Sequence, residues 1–161
     1  MDIQSKIMDP RALADRLEGL RRTGKHVVFT NGCFDILHVG HVRYLSAARN
    51  EGDLLVVGLN SDQSVRLIKE KRRPIVAQDQ RLEILASLQV VNYVTLFDEP
   101  DPLKLIQLLK PTILVKGADW SADEIIGADF VKSRGGRVVR VSLVQNASTS
   151  KIIERIVKHF C

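Results

Sequence analysis

The strongest constraint on the fold is a regular alternation of short apolar runs with amphipathic stretches along the whole chain. Strands are predicted at residues 26–30, 54–59, 93–97, 112–115 and 138–141. Helices are predicted at residues 9–22, where Asp9 is the expected N-cap, and at 38–50, 79–88, 102–109, 128–133 and 148–158. Short β-rich runs joined by helices are typical of a parallel sheet with right-handed crossovers and helices on both faces. The sequence therefore predicts an α/β protein.

Length and composition limit the number of domains and the kinds of partner. The chain has 161 residues, 45% hydrophobic and 27% charged, which suits one domain over residues 1–161 with a full core. The net charge of +5 is spread along the chain except at residues 69–73. Aromatic residues make up 5% and do not alternate with basic ones, so small polyanions are favoured over nucleic acid.

Location is predicted from apolar segments and cysteines. No run approaches the roughly 18 apolar residues of a membrane span, and the first residues lack the apolar stretch of a secretory leader. The two cysteines, Cys33 and Cys161, lie far apart in the sequence. These features predict a cytoplasmic protein with no membrane partner.

Polar segments follow four of the five predicted strands. They begin at Thr30, Asn60, Lys116 and Asn146. Ligands of parallel α/β sheets bind beyond the carboxyl ends of the strands. The four segments are therefore predicted to line one binding edge.

The segment after the first strand contains two histidines around a glycine, His38-Val39-Gly40-His41. A helix start offers unpaired N–H groups and the positive end of a dipole, which favour phosphate. Histidines at i and i+3 share one helix face, and Gly40 is expected to leave room for a ligand between them. This segment predicts a nucleotide site.

A metal site is the competing interpretation of the same segment. Cys33, Asp35, His38 and His41 are all suitable ligand types within one short stretch. Their spacing matches no structural zinc pattern, and no second Cys/His cluster completes a closed site. The phosphate interpretation is therefore preferred, and no protein-held metal is predicted.

Four stretches resemble a known family. The pattern Gly32-x-Phe34-Asp35-x-x-His38-x-Gly40-His41 and the late Ser148-Thr149-Ser150 resemble the nucleotidylyltransferases of the cytidylyltransferase-like superfamily. The stretches Phe29 to Asp35, Arg73-Pro74-Ile75, Val115 to Trp120 and Ser148 to Ile153 more narrowly resemble the D-glycero-β-D-manno-heptose 1-phosphate adenylyltransferases, a part of the bifunctional heptose kinase/adenylyltransferases. The likeness extends from Leu13 onward. It implies a Rossmann-like three-layer α/β/α fold with a five-stranded parallel sheet in the order 3-2-1-4-5, in a stand-alone form without a sugar kinase.

The resemblance also implies a reaction and a set of site residues. AMP would pass from ATP to the heptose 1-phosphate, giving ADP-heptose and pyrophosphate for the lipopolysaccharide core, with Mg²⁺ held mainly by the ATP phosphates. Such a reaction needs positive charge around the α-phosphorus rather than a nucleophile. The expected catalytic residues are His38, His41 and Lys69. The expected nucleotide-binding residues are Thr30, Asn31, Gly32, Phe34, Asp35, Gly40, Lys116, Gly117, Asp119, Trp120, Ser148, Thr149 and Ser150. The expected substrate-binding residues are Asn60, Lys71 and Arg81.

Some of these side chains also have structural explanations. A helix cap would account for one of the three hydroxyl residues from Ser148 to Ser150. Cys33 is expected to be a small lining residue rather than a reactive thiol. Residues 69–73 are expected to form a mobile basic loop that closes over phosphates.

Two charged residues carry more specific expectations. Asp35 would orient an imidazole or a hydrated Mg²⁺ ion. Arg81, if not a substrate ligand, would form a surface ion pair with Asp79 or Glu83.

Other functions remain open at this point. Cytidylyltransferases of the superfamily tend to have an arginine-threonine-glutamate-glycine run where this chain has Leu143, Val144, Gln145 and Asn146, which argues against glycerol 3-phosphate as acceptor. Transfer from CTP to glycerol 3-phosphate, transfer from ATP to pantetheine phosphate, and nucleotide binding without transfer are the alternatives. A homodimer is expected, as in similar enzymes.

Overall fold

The computed structural model describes residues 2–121 and 124–160 as an α/β structure. Its strands are β1 (Val27–Gly32), β2 (Leu54–Asn60), β3 (Tyr93–Phe97), β4 (Ile113–Gly117) and β5 (Arg137–Val141). Its helices are α1 (Pro10–Arg22), α2 (Val39–Arg49), α3 (Asp62–Ile68), α4 (Gln78–Ser87), α5 (Leu103–Leu109), α6 (Ala128–Ser133) and α7 (Thr149–Phe160), preceded by a 3₁₀ turn at Gln4–Lys6.

The strands form one parallel sheet in the order β3-β2-β1-β4-β5. In the register, β1 lies between β2 and β4, with Val28 opposite Leu55 on one side and Ile113 on the other. Because β2 and the first four residues of β1 are buried, the apolar residues of these two strands follow one another without polar alternation. The predicted fold class and strand order are confirmed.

The first helix shows how local sequence sets an element. Asp9 accepts hydrogen bonds from the amides of Arg11, at 2.9 Å, and Ala12, at 3.3 Å, and Pro10 occupies the first helical position. Leu13 and Leu17, four residues apart on one face, are completely buried. The predicted N-cap and the predicted helix are both confirmed.

Two apolar layers enclose the sheet, one on each face. The first packs α1, α5 and α6 against side chains such as Phe29 and Leu114. The second packs α2 and α4 against side chains such as Val57 and Val94. This three-layer arrangement leaves the carboxyl ends of the strands open, and the loops after the strands meet there.

Two elements were not predicted. The 3₁₀ turn is one, and α3 is the other, because its seven residues follow β2 within a segment that the sequence marks as polar. Ser61 caps α3, with its Oγ accepting from the amide of Ser64 at 3.1 Å. β1 also continues two residues beyond its predicted end, to Gly32. None of the helices described has both the length and the apolar character needed to cross a bilayer.

Candidate active site

A cavity of about 820 Å³ lies at the carboxyl ends of the strands, where the sequence predicts the binding edge. This volume is in the range typical of small-molecule sites. The predicted residues that line it are Asn31, Gly32, Phe34, Asp35, His38, Gly40, His41, Asn60, Lys69, Lys116, Gly117, Asp119, Trp120, Ser148, Thr149 and Ser150. The structure therefore brings segments from the whole length of the chain together at one site.

His38 forms the N-terminal cap of α2. Its backbone is extended, and its Nδ1 accepts a hydrogen bond from the Gly40 amide at 3.1 Å. Burial holds the pKa of His38 below its usual value, so the ring is neutral at pH 7. Because Nδ1 is an acceptor, the proton of the neutral ring sits on Nε2. The cap thus sets the tautomer that can donate to a phosphate oxygen.

His41 is held by aromatic rings on two sides. Its ring stacks on His38 with a centroid distance of 3.8 Å and an interplanar angle of 26°, and Phe34 meets it edge-on at 5.2 Å. Burial, assisted by His38, lowers the pKa of His41 to about 4. Its Nδ1 is buried and has no hydrogen-bond partner among the described residues. The pair therefore supplies two neutral, prearranged imidazoles.

Gly40 serves a different purpose from the one predicted. A methyl group at this position would lie 2.8 Å from His38 Cε1 and 2.9 Å from its Nδ1. Since the two imidazoles are in stacking contact, no ligand fits between them. The prediction of ligand space between the rings was wrong, because the missing side chain makes room for the capping ring of His38.

Lys116, at the end of β4, is a cation drawn into the site. Its Nζ contacts Asn31 Oδ1 and lies 6.0 Å from the centre of the Trp120 ring. Burial lowers the pKa of Lys116 to about 8, although Asp119 acts in the opposite direction. A partly desolvated ammonium of this kind interacts strongly with an incoming phosphate.

The basic loop, residues 69–72, also contributes to the cavity. Lys69 follows α3 and lines the cavity, and its amide donates to Val65 O at 2.8 Å. Lys71 is exposed and does not line the cavity. Of the two lysines predicted in this loop, the structure therefore places only Lys69 at the site.

Asp35 has a different role from the one expected. It is 2% exposed, and its carboxylate accepts hydrogen bonds from Arg73 Nε at 2.5 Å, from the Ile75 amide at 2.9 Å and from the Val76 amide at 2.8 Å. No imidazole is among its hydrogen-bond partners. The expectation that Asp35 orients an imidazole was wrong, because three donors of another loop occupy its oxygens.

Arg81 is buried rather than at the surface. It is 1% exposed, and its guanidinium donates to the carbonyl oxygens of Val76, Cys33 and Asn60 and to Asp62 Oδ1. The predicted surface ion pair with Asp79 or Glu83 was wrong. Arg81 does not line the cavity, and its contacts join the loops that follow β1, β2 and the basic loop.

Three polar residues form hydrogen bonds at or next to the cavity. Thr30, a predicted nucleotide-binding residue, is buried and does not line the cavity. Its Oγ1 lies 2.7 Å from the hydroxyl of Tyr44, which also donates to Val115 O at 3.2 Å. Burial raises the pKa of Tyr44 to about 12. Asn60 is 2% exposed at the cavity wall, with its Nδ2 donating to Ser64 Oγ. Tyr44 was not predicted from the sequence, because a tyrosine in a helix interior does not by itself indicate a binding site.

The three hydroxyl residues Ser148, Thr149 and Ser150 have different roles. Ser148 Oγ accepts from the Lys151 amide at 3.2 Å, which is the cap that the sequence analysis assigned to one of the three. Thr149 donates to Ile36 O at 3.3 Å and so fixes the start of α7 against the loop before α2. Ser150 is exposed and faces the cavity.

The sequence analysis also missed the loop after β3 and much of the apolar lining. The additional lining residues include Ile68, Glu70, Arg73, Pro100, Asp101, Pro102, Ile125, Ile126, Leu143, Val144 and Ala147. The strand-end rule would have found residues 100–102 if it had been applied to β3. No local signal marks the isoleucines, which reach the site only through the fold.

The metal interpretation is not supported by the geometry. In residues 2–121 and 124–160, no group of three or more His, Cys, Asp and Glu side chains is placed to hold a metal ion. Burial raises the pKa of the Cys33 thiol, which keeps it protonated at neutral pH. Cys33 therefore lacks the thiolate character of a nucleophile.

Comparison with known proteins places this geometry in context. The family model described as "Cytidylyltransferase-like" matches residues 29–155. The chain is 52% identical over 160 residues to the "Bifunctional protein HldE" of Syntrophotalea carbinolica and 50% identical over 156 residues to that of Geobacter sulfurreducens. These matches cover 99% and 97% of this chain but 33% and 32% of the relatives, so the chain spans about a third of their length.

A solved structure shares the fold. It is the "lipopolysaccharide core biosynthesis protein" of Thermoplasma volcanium, with 32% sequence identity and a TM-score of 0.63. The match covers 77% of this chain and 100% of the other. The common region therefore includes most of the fold that carries the cavity.

Proposed function

This chain belongs to the cytidylyltransferase-like family, and we propose that within it the protein transfers AMP from ATP to D-glycero-β-D-manno-heptose 1-phosphate. The products are ADP-heptose and pyrophosphate, and the pathway is lipopolysaccharide core synthesis. The observation that carries the proposal is the stacked His38–His41 pair at the start of α2, in one cavity with Lys69 and Lys116. The likeness to the HldE proteins and to the lipopolysaccharide core biosynthesis protein of Thermoplasma volcanium supports this choice of pathway.

The reaction is a single in-line displacement. An oxygen of the sugar phosphate attacks the α-phosphorus of ATP, the bond from that phosphorus to the bridging oxygen breaks, and the electron pair leaves with pyrophosphate. Negative charge grows on the phosphoryl oxygens during this step. The Nε2–H of His38, an N–H of His41 and the amides at the start of α2 are donors for that charge.

The two lysines supply the positive charge that the neutral imidazoles lack. Lys116 approaches from the end of β4, and Lys69 from the basic loop. Mg²⁺ would bind mainly through the ATP phosphates, since the described residues form no metal cluster and the Asp35 oxygens are already hydrogen-bonded. Bound Mg²⁺ would neutralise part of the triphosphate charge.

The proposal is tested by measuring pyrophosphate release with ATP or CTP in separate reactions. Each nucleotide is combined with Mg²⁺ and with heptose 1-phosphate, glycerol 3-phosphate, pantetheine phosphate or no acceptor. We expect release only when ATP, Mg²⁺ and heptose 1-phosphate are all present, with ADP-heptose identified by mass. Release with CTP and glycerol 3-phosphate would instead establish a cytidylyltransferase, and nucleotide binding without release would establish a non-catalytic module.

The same proposal extends to organisation and location. We propose that residues 1–161 form one catalytic domain, because a single sheet carries both apolar layers and the whole cavity. We also propose a homodimer in the cytoplasm, where ATP and sugar phosphates are both available. Sedimentation at micromolar concentration checks the assembly, and a monomer would contradict it.

A further inference from the structure

Asp35 joins two loops that both contribute to the cavity. It lies three residues before His38, in the loop that leads from β1 into α2. Its oxygens accept from the Arg73 side chain and from the amides of Ile75 and Val76, which all belong to the segment after the basic loop. The side chain of Asp35 is 0% exposed and that of Arg73 is 14% exposed, so this ion pair is largely shielded from water. Such a charge-assisted contact is much stronger than a surface ion pair.

The hydrogen bonds also decide the charge state of Asp35. Burial favours the neutral acid, but the amides of Val76 and Ile75 and the Arg73 side chain outweigh it. The pKa of Asp35 therefore lies below its usual value. The carboxylate is ionised at neutral pH and can hold all three donors at once.

The segment that contains Ile75 and Val76 is also held through the carbonyl oxygen of Val76. Arg81 donates from Nε to Val76 O at 2.9 Å and from Nη1 to Cys33 O at 2.6 Å. Cys33 lies two residues before Asp35 in the same loop after β1. Both the amide and the carbonyl of Val76 are thus tied to the β1–α2 loop, directly or through one guanidinium.

The basic loop itself is fixed only at its two ends. Lys69 is held by the last turn of α3, and Arg73 is held by Asp35, with a turn hydrogen bond from the Arg73 amide to Glu70 O at 2.9 Å. Residues 69–72 between these points are all exposed. The amide of Lys69 is thus set by α3, and the Asp35 contact sets the path that the rest of the loop takes beside the Lys69 side chain.

We infer that Asp35 is a positioning residue that latches the end of the basic loop to the His38–His41 pair at the start of α2 (the histidine corner), so that Lys69 reaches the reacting phosphates. This inference rests on the proposed function, because it assigns Lys69 a role in nucleotidyl transfer. Asp35 itself acts on Arg73, Ile75 and Val76, and its effect on the reaction passes through the loop.

A double-mutant cycle between Asp35→Asn and Lys69→Ala tests this coupling. Lys69→Ala alone should lower kcat by about 10²-fold, the typical loss when one transition-state donor is removed. In the Asp35→Asn background the loop is released, so Lys69→Ala should lower kcat by only a few fold further. If the two losses in kcat simply multiply, Asp35 has a structural role only and the inference is wrong.

Two further variants test the same ion pair in case Asp35→Asn does not fold. Arg73→Ala removes the other partner of the ion pair, and Arg73→Lys keeps its positive charge. The latch predicts that Arg73→Lys retains more kcat than Arg73→Ala, and that Arg73→Ala also reduces the effect of Lys69→Ala. Arg66→Ala is the matched control, since Arg66 is an exposed arginine on α3 without an ion pair among the described residues.

Limited proteolysis separates this inference from the proposed function. Trypsin cuts after Lys69, Lys71 and Arg72, and the measurement needs no substrate. Cleavage within residues 69–72 should be about tenfold faster in folded Asp35→Asn and Arg73→Ala than in Arg66→Ala, because the loop opens locally more often. Equal cleavage rates would overturn the latch even if the enzyme proves active. Faster cleavage in an enzyme without transferase activity would keep the latch and reject the proposed function.

Discussion

The histidine corner and the basic loop face the same cavity but are built in different ways. In the corner, His38 caps α2, His41 stacks against it, and Phe34 is 7% exposed beneath them. In the basic loop, residues 69–72 are exposed and are held mainly at their ends. The corner offers neutral, packed donors, whereas the loop offers positive charge on exposed side chains. We expect the corner to orient a phosphate and the loop to enclose it.

The comparison is tested most strongly by removing an imidazole from the corner. His41→Ala should lower kcat by about 10²- to 10³-fold, because a prearranged transition-state donor is lost, while ATP binding changes little. Steady-state kinetics and ATP titration separate the two effects. His26→Ala is the control, since His26 is exposed just before β1 and outside the cavity. Unchanged turnover in His41→Ala would remove the proposed mechanism.

Removing the Lys116 ammonium should lower activity less than removing His41 does, and Lys116 should also make activity depend on pH. Lys116→Met should lower kcat/KM roughly 10- to 100-fold, in line with the loss of one hydrogen bond to a charged group. In the wild type, kcat/KM should fall as the pH rises through about 8, because Lys116 loses its proton there. Lys116→Arg should move this fall to higher pH, since arginine stays charged. An unchanged pH profile in Lys116→Arg would exclude Lys116 as the titrating group.

Lys116 should also lower the stability of the folded protein. Its pKa is about 8 in the folded state, against an ordinary value of 10.5 for an unperturbed lysine. The folded state therefore binds this proton more weakly, and its charge opposes folding at pH 7. We expect Lys116→Met to raise the Tm at pH 7 by about 2–4 °C. This gain should shrink between pH 8 and 10.5, where the wild-type lysine becomes neutral in the folded state. A Tm below that of the wild type at pH 7 would contradict the expectation.

A substitution in the basic loop should have the smallest effect on stability. Arg72 is exposed and takes part in no ion pair among the described residues. Arg72→Ala should therefore change the free energy of unfolding by no more than about 0.5 kcal/mol, the usual limit for a surface substitution. Urea denaturation measures this value. A loss well above that limit would mean that the loop is packed as firmly as the corner.

The strands were predictable because their signal is local. Val27, Val28 and Phe29 form an apolar run with no polar alternation, which is the pattern of a strand buried on both faces. Likewise Asp9 and Pro10 mark the start of α1 by capping chemistry alone. The helix α3 was missed because seven residues give no clear period, and its Ser61 cap lies in a segment that also fits a loop.

The site was predicted in location but less well in detail. Applying one rule to the strand ends identified His38, Lys116 and Trp120, which all line the cavity. The predicted roles of Asp35 and Arg81 were wrong, because the actual role of each residue depends on partners about 20 to 50 residues away in the chain. No spacing within a single segment shows which distant amides a carboxylate will accept.

Periodicity, capping residues and the His-x-Gly-His spacing were enough to determine the α/β architecture and the edge at which a phosphate ligand is expected to bind, because each is a property of neighbouring residues. Only the tertiary structure decided that Lys116 is desolvated beside Asn31 and that Asp35 holds Arg73. These outcomes depend on burial and on which segments meet. Both arise when the chain closes around the sheet, since only then is water removed from the charged and polar groups.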